Sequence, residues 1–403
     1  MSTSQTSAVP KMASSESLRP FQFLVPQSEL EDLMRRVKAT RWPEKETVND
    51  ASQGVPLATM QKVAGYWTSG YDWRKIENRI NSFPNFITEI DGLDIHFMHI
   101  KSKHANAMPV IITHGWPGSV IEQMKLIEPL TDPTKYGGKE EDAFDVVIPS
   151  MPGYGFSGKP TTTGWGPERI ASAWTVLMKR LGYNRYVAQG GDWGAIITDL
   201  MGVQADPALA AIHLNMPGAV PPEIDKQCWA GTVPAGLPAD ETKACQELVD
   251  FYKVVYYAFF MGTRPETLTG ISDSPIGLAS LLLDHDPKST ALIARSFDGK
   301  SEGISKDDVL DNVSLFWFTN TGISAARLYW ENKLNFFAPK GVKIPVGVSV
   351  FPDELYPCPR SWAEKAYPKL MHFNIMEKGG HFAAFEQPKS LVQEMRTAFK
   401  SLR

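Results

Sequence analysis

Cysteine is scarce. Cys228, Cys245 and Cys358 are an odd number in a long chain and form no CxxC pair, which argues against a disulfide framework or structural zinc and for a reducing compartment. Basic blocks are missing, and a formal net charge of −4 leaves no footprint for nucleic acid or an anionic membrane. Residues 1–16 are rich in Ser, Thr and Ala without an apolar stretch, so they read as a disordered tail and not as a signal peptide or membrane anchor. Ser401-Leu402-Arg403 is not the Ser-Lys-Leu form of a peroxisomal address, which leaves the cytoplasm as the default. No GxxxxGK[ST] follows any strand. Gly153-Tyr154-Gly155-Phe156-Ser157-Gly158 does spell GxGxxG, but Lys159-Pro160-Thr161 follow, so no helix N-terminus is in place for a pyrophosphate. His96 and His99 resemble an HxxH pair, yet odd spacing on a strand turns the two rings to opposite faces. Neither a cofactor nor a metal is implied.

What is there is an ordinary globular composition. With 403 residues, 43% hydrophobic and 21% charged, the chain can bury a large α/β domain with appendages. Ser28-x-x-Glu31 reads as a capping box ahead of Leu30, Leu33 and Val37 at helical spacing, and Arg41-Trp42-Pro43 stops that helix. Another helix is expected over 57–68, with Trp67, Tyr71, Trp73 and Phe83 supplying an apolar side. No flexible linker follows, so residues 17–90 are expected as an arm packed on the core. The stretch 87–100 alternates around Asp91-Gly92, a hairpin signal. Short continuous apolar runs at 109–113 and 143–148 read as strands of a parallel sheet buried on both faces, and 208–216, 342–351 and 371–376 as further strands of it. Between them, 219–339 is helical and aromatic-rich, with helices expected over 305–318 and 324–334 and a Ser274-Pro275 helix start. The fold class expected is α/β: a mostly parallel central sheet, core parts 91–218 and 340–403, and an inserted helical segment over 219–339 placed as a lid on the sheet's carboxyl edge.

Chemistry centres on Gly190-Gly191-Asp192-Trp193-Gly194, between a strand-like and a helix-like stretch. Small residues two positions either side of a functional side chain match the nucleophile elbow, with aspartate where acyl-transfer enzymes carry serine. A carboxylate can displace at saturated carbon and be left as an ester, which points to C–O or C–halogen cleavage. His114-Gly115-Trp116-Pro117-Gly118 follows a strand, where backbone N–H groups can form half an oxyanion hole; His114 itself reads as a structural histidine fixing the loop. Phe351-Pro352-Asp353-Glu354 and Gly379-Gly380-His381 each lie just past a later strand, completing the chain order nucleophile, acid, histidine, interrupted by an insertion. An α/β-hydrolase fold uses that order, so that fold with its helical lid over 219–339 is expected.

These residues resemble the epoxide hydrolases of the microsomal type, in a soluble form without an anchor, from about Phe21 to the C-terminus. The likeness rests on Thr40-Arg41-Trp42-Pro43 in the arm, His114 to Gly118, Gly190 to Gly194, Phe351-Pro352-x-Glu354 and Gly379-Gly380-His381-Phe382-Ala383-Ala384-Phe385. It implies Asp192 as nucleophile, His381 as base and Glu354 as the acid that orients it. It further implies the lid phenols Tyr257 and Tyr329 as proton donors, the N–H groups of Trp116 and Trp193 forming the oxyanion hole. Tyr256 adjoins Tyr257 and Asp353 adjoins Glu354, and family spacing favours Tyr257 and Glu354. The expected partners are a small hydrophobic epoxide and water, with a homodimer and a role in xenobiotic detoxification implied only by the likeness. Phe259, Phe260, Phe316, Trp317 and Phe318 suggest an apolar tunnel, or plain core. Two other readings stay open: a haloalkane dehalogenase with the same aspartate, using the Trp193 indole for the halide, and a non-catalytic receptor on the same fold.

Overall fold

Apolar runs too short for helices become the inner strands, and the chain between them covers both faces. The computed structural model of the protein describes residues 17–403; the tail expected over 1–16 lies outside the described residues. The arm supplies β1 (Arg19–Pro20), α1 (Gln27–Lys38), α2 (Leu57–Ser69) and α3 (Trp73–Asn81), then runs into the hairpin β2 (Asn85–Ile90) and β3 (Leu93–Ile100). The core continues with β4 (Met108–Thr113), α4 (Val120–Thr131), β5 (Phe144–Pro149), α5 (Pro167–Arg180), β6 (Tyr186–Gly190), α6 (Trp193–Gln204) and β7 (Leu209–Leu214). The insertion holds α7 (Pro222–Trp229), α8 (Ala239–Tyr252), α9 (Tyr256–Thr263), α10 (Pro275–Leu283), α11 (Pro287–Phe297), α12 (Lys306–Thr319) and α13 (Gly322–Glu331). The sheet then resumes with β8 (Val346–Val350), α14 (Arg360–Ala366), β9 (Leu370–Ile375), α15 (Ala383–Glu386) and α16 (Pro388–Ala398).

One nine-stranded sheet runs in the order β1-β2-β3-β5-β4-β6-β7-β8-β9. The pairings from β5 to β9 are all parallel, and those of β1, β2 and β3 antiparallel. Val110, Ile111 and Ile112 on β4 and Val146, Val147 and Ile148 on β5 have no exposed surface, as strands covered on both faces require. The hairpin turns on Asp91 (φ 52) and Gly92 (φ 80), the two positive φ values of a tight primed turn. None of the described helices is long and apolar enough to cross a membrane. The expected α/β-hydrolase architecture, with its mostly parallel sheet and helical insertion, is the one found.

One local expectation needs correction and two others gain detail. The capping box at Ser28 and Glu31 does not form: α1 opens at Gln27, the Pro26 carbonyl accepts from the N–H of Glu29 at 3.0 Å, and Ser28 sits inside the first turn. Proline's preset φ ends the extended segment two residues earlier than the serine would. A capping box does open α12, where Ser305 Oγ accepts from Asp308 N at 3.1 Å and Asp308 Oδ2 accepts from Ser305 N at 2.9 Å. The arm, besides adding β1 and β2 to the sheet, packs on the insertion. Trp67 Nε1 donates to Ser314 Oγ at 3.1 Å, Tyr71 OH to Asp311 at 2.8 Å and Tyr66 OH to Asp307 at 2.6 Å, all on α12. Last, the aromatics read as tunnel or plain core mostly do not line a tunnel. Phe316 is core against Tyr154, Phe318 packs on Trp73 of the arm, the Arg36 guanidinium lies over Trp317, and Phe260 is exposed.

Candidate active site

The elbow is a backbone problem before it is a chemical one. Asp192, between β6 and α6, sits at φ 52 and ψ −128, a conformation that costs a non-glycine residue about 1–3 kcal/mol and persists only where its surroundings impose it. They do so through close approach. A Cβ on Gly190 would lie 2.1 Å from the Gly194 carbonyl oxygen, and one on Gly194 would lie 2.0 Å from that of Thr113, so both glycines are dictated by contact. Asp192 is 6% exposed, and its Oδ1 accepts from the backbone N–H of Trp116 at 2.6 Å. The Trp193 N–H opens α6 beside it and makes no hydrogen bond to the carboxylate.

Trp116 is placed by its loop. His114 Nε2 accepts from Met151 N at 3.2 Å and its Nδ1 lies 3.0 Å from the Gly115 carbonyl, the structural role its position suggested. Asn312 on α12 reaches down from the insertion, donating to the Pro117 carbonyl at 2.6 Å and accepting from Ser119 Oγ at 2.7 Å. A helix of the insertion thus pins the loop whose Trp116 N–H holds Asp192.

On the other side of Asp192 stands His381, its Nε2 3.7 Å from Asp192 Oδ2 and its Nδ1 2.5 Å from Glu354 Oε1. Asp353 is exposed and serves through its backbone, its N–H donating to the Gly379 carbonyl at 3.0 Å, so of the two adjacent acids Glu354 meets the histidine. Burial alone would lower the His381 pKa. The charge and hydrogen bond of Glu354, with the charges of Asp192 and Asp286, outweigh it and raise the value to about 10, which makes the resting ring an imidazolium. Glu386 sets the loop that carries it, accepting from the N–H groups of Gly380 and Phe382 at 3.0 Å each.

Tyr257 and Tyr329 close the site from above. Tyr257, on α9, is buried and stacks on the Trp116 ring (centroids 4.7 Å apart), whereas Tyr256 is 68% exposed and points away. Tyr329, on α13, meets both Trp116 and Trp193 edge-on at 5.8 and 4.8 Å. Burial, then neighbouring negative charge, pushes both phenols well above their usual pKa, which keeps the protons on as a donor pair requires. The Trp193 indole N–H makes no hydrogen bond of sound geometry, though it is close enough to the Tyr329 phenol to ease its deprotonation. A cavity of about 630 Å³ leads to these groups, lined chiefly by Trp193, Phe251, Tyr252, Val255 and Phe336. A larger groove of about 940 Å³ between Lys159–Trp165 and α13 contains none of them. Of the aromatics named for a tunnel, only Phe259 borders the cavity.

Sequence reasoning therefore named side chains that do converge, but missed Asn312, Glu386 and His285. His285 stacks on His381 with centroids 4.3 Å apart. Its local sequence, His285-Asp286-Pro287, reads as a helix start, and Asp286 is indeed the N-cap of α11.

Comparison with known proteins agrees with the geometry. A family model described as epoxide hydrolase N terminus matches residues 18–123, and the alpha/beta hydrolase fold model matches 108–240. A putative epoxide hydrolase of Stigmatella aurantiaca is 49% identical over 388 residues, covering 96% of this chain and 86% of the relative. Epoxide hydrolase 1 of Sus scrofa is 34% identical over 96% of this chain and 89% of its own. Among solved structures, the juvenile hormone epoxide hydrolase of the silkworm Bombyx mori superposes with a TM-score of 0.84 at 29% identity, covering 96% of this chain and 95% of that one. The Aspergillus niger epoxide hydrolase gives 0.81 at 31% identity, covering 96% and 97%.

Proposed function

Because the chain belongs to the epoxide hydrolase family, we propose that it opens apolar epoxides to vicinal diols through a covalent ester on Asp192. The observation that carries this reading is one juxtaposition. A buried carboxylate is held at 2.6 Å by the Trp116 N–H and stands 3.7 Å from His381 Nε2, at the end of a cavity that two protonated phenols also line. The cavity, about 630 Å³ and largely aromatic, suits a small hydrophobic substrate.

Ring opening comes first. Asp192 attacks a ring carbon, the C–O bond breaks, and the departing oxygen takes a proton from Tyr257 or Tyr329, leaving a hydroxyalkyl ester and a phenolate. The ester no longer carries the charge of Asp192, so one of the interactions holding a proton on His381 is gone, and that proton passes to the phenolate. The neutral ring, oriented by Glu354, then deprotonates a water that attacks Asp192 Cγ. Negative charge on the carbonyl oxygen is met by the N–H groups of Trp116 and Trp193, each worth on the order of 3 kcal/mol by analogy with other oxyanion donors. Collapse breaks the Cγ–O bond to the diol, whose oxygen takes the proton from His381; the Asp192 carboxyl then returns its own proton to the ring. The oxygen entering the diol in the first turnover is therefore the enzyme's. Single turnover in ¹⁸O-labelled water is expected to give unlabelled diol and a labelled Asp192 peptide, and label in first-turnover diol would sink the ester.

Two substitutions test the machinery around the nucleophile. Removing either phenol oxygen, by Tyr257→Phe or Tyr329→Phe, is expected to slow ester formation about 10- to 100-fold, and removing both by 10³ or more, in line with general-acid effects of roughly 10²–10⁴. Rapid-quench mass analysis reads that step directly. At Gly115 a Cβ would come within 2.2 Å of Asp192 Oδ1, so Gly115→Ala should displace the carboxylate. The expected loss in kcat/KM is about 100-fold, the usual scale for a misplacement of 1 Å, with far-UV dichroism unchanged.

A further inference from the structure

The steps above leave one histidine beside the base without a task. His285, just past α10, is 2% exposed, and its ring lies nearly parallel to that of His381, at 26°. Its Nδ1 is 3.0 Å from Asp286 Oδ2, and Asp286 is fixed in turn, Oδ1 accepting from the N–H groups of Lys288 and Ser289 at 2.9 Å each. A carboxylate so placed accepts a hydrogen bond from a protonated Nδ1 and leaves Nε2 as an acceptor. That Nε2 is buried and has no partner among the described residues. One ring nitrogen of His285, one of His381 and a carboxylate oxygen of Asp192 all lie within 4.8 Å of one another.

Such a trio suits a water better than an ion. A water at about 2.8 Å from each of three polar atoms reproduces this spacing. A metal ion needs the histidine lone pairs to converge at about 2.1 Å, whereas two stacked rings aim theirs along nearly parallel planes.

We propose that His285, oriented by Asp286, is the second acceptor for the water that cleaves the Asp192 ester. One water proton is directed at His381 and the other at His285 Nε2, which turns the oxygen lone pair toward Asp192 Cγ. As the O–Cγ bond forms, the first proton passes to His381, while the second stays on oxygen and keeps its hydrogen bond to His285. Nothing is transferred to His285. Its contribution is orientation, felt in ester cleavage and absent from ring opening. The proposal rests on the ester reading of the preceding subsection.

The test separates the two steps. His285→Phe keeps a stacked ring and removes Nε2. With enzyme in excess over styrene oxide, quenched-flow mass analysis follows both growth and decay of the adduct on the Asp192 peptide. Decay is expected to slow 10- to 100-fold while formation stays within threefold. Steady-state kcat and KM should then fall together, since ester accumulates. His285→Gln, whose amide oxygen can accept, should recover part of the decay rate. If His285→Phe does not fold, Asp286→Asn, which retains the helix cap but frees the imidazole to turn over, is read in the same assay and should slow decay alone. Unchanged decay, or equal slowing of both steps, overturns the role of His285. Absence of any adduct in the wild-type protein overturns the ester reading itself, and this proposal with it.

Discussion

Alanine at position 192 is expected to end turnover, with kcat/KM falling by on the order of 10⁴ to 10⁶, the scale seen when a nucleophile that acts as part of a unit is removed. The fold should survive. The backbone at 192 is strained for any side chain, and what imposes the strain is the close contact of Gly190 and Gly194 with their neighbours, which alanine leaves alone. Two local consequences follow. The Trp116 N–H loses its acceptor, and His381 loses one of the charges that raise its pKa, so its titration, read by NMR, should move down from about 10. Stability follows the same sign. A pKa raised from 6.5 contributes stability that is fully present below pH 6.5 and is lost as pH rises through the folded value, so the variant should lose that contribution at a lower pH than the wild type does. Retained turnover, or an adduct on any other peptide, would remove Asp192 from the role proposed for it.

The sheet was readable because its strands had no choice. A run such as Pro109 to Thr113 is too short for a helix and too apolar for a surface, and only a parallel strand covered on both faces uses it. The Asp91-Gly92 turn was readable for an equally local reason, since few residue pairs accept two positive φ values. What escaped depended on distant partners. Nothing near Trp67 or Tyr71 says that their polar atoms are met by α12, more than two hundred residues on. The Ser28 capping box failed because two start signals overlapped and the proline, two residues earlier, took the carbonyl role first. Aromatics were the poorest guide. Phe316 to Phe318 are consecutive on a helix, so they face three directions, and only the arm decides which of those is covered.

The site shows the same division. Asp192, Glu354 and His381 are legible because each follows a strand, and strand ends meet at one edge of a parallel sheet. Tyr257 needed a family likeness to be chosen over Tyr256, because one helical step decides which phenol is buried. His285, Asn312 and Glu386 left no trace of function in the text. Each acts on another functional residue and not at a motif position, and their signals, an N-cap pair, a helix asparagine and a glutamate ahead of Pro388, are those of ordinary structure. The insertion is thus more than a cover. Through Asn312 it holds the loop of Trp116, through Tyr257 and Tyr329 it sets two phenols above Asp192, and through His285 it touches His381.

Glutamine in place of His381 is expected to divide the reaction where alanine at 192 abolishes it. Ring opening needs the carboxylate and a phenol proton, both still present, so the variant should form ester in one stoichiometric burst, slowed only by the loss of the positive charge beside Asp192. Ester cleavage needs a base, and His381 is the group that bridges Glu354 and Asp192, whereas His285 is held by Asp286 and serves only to orient the water. Its rate should fall by roughly 10²–10⁴, the usual contribution of a positioned general base. The intact mass should then rise by that of one epoxide and remain there. The pH profiles should part as well. In the wild-type protein, cleavage requires neutral His381, and alkylation has removed the charge of Asp192, one of the interactions that raise the ring to about 10; cleavage should therefore speed up with pH and level off below that value. In the glutamine variant that rise should vanish, leaving at most the slow, uniform attack of hydroxide. A variant that turns over without accumulating adduct, or that keeps the wild-type rise, would show that the proton leaves the water by some route other than His381.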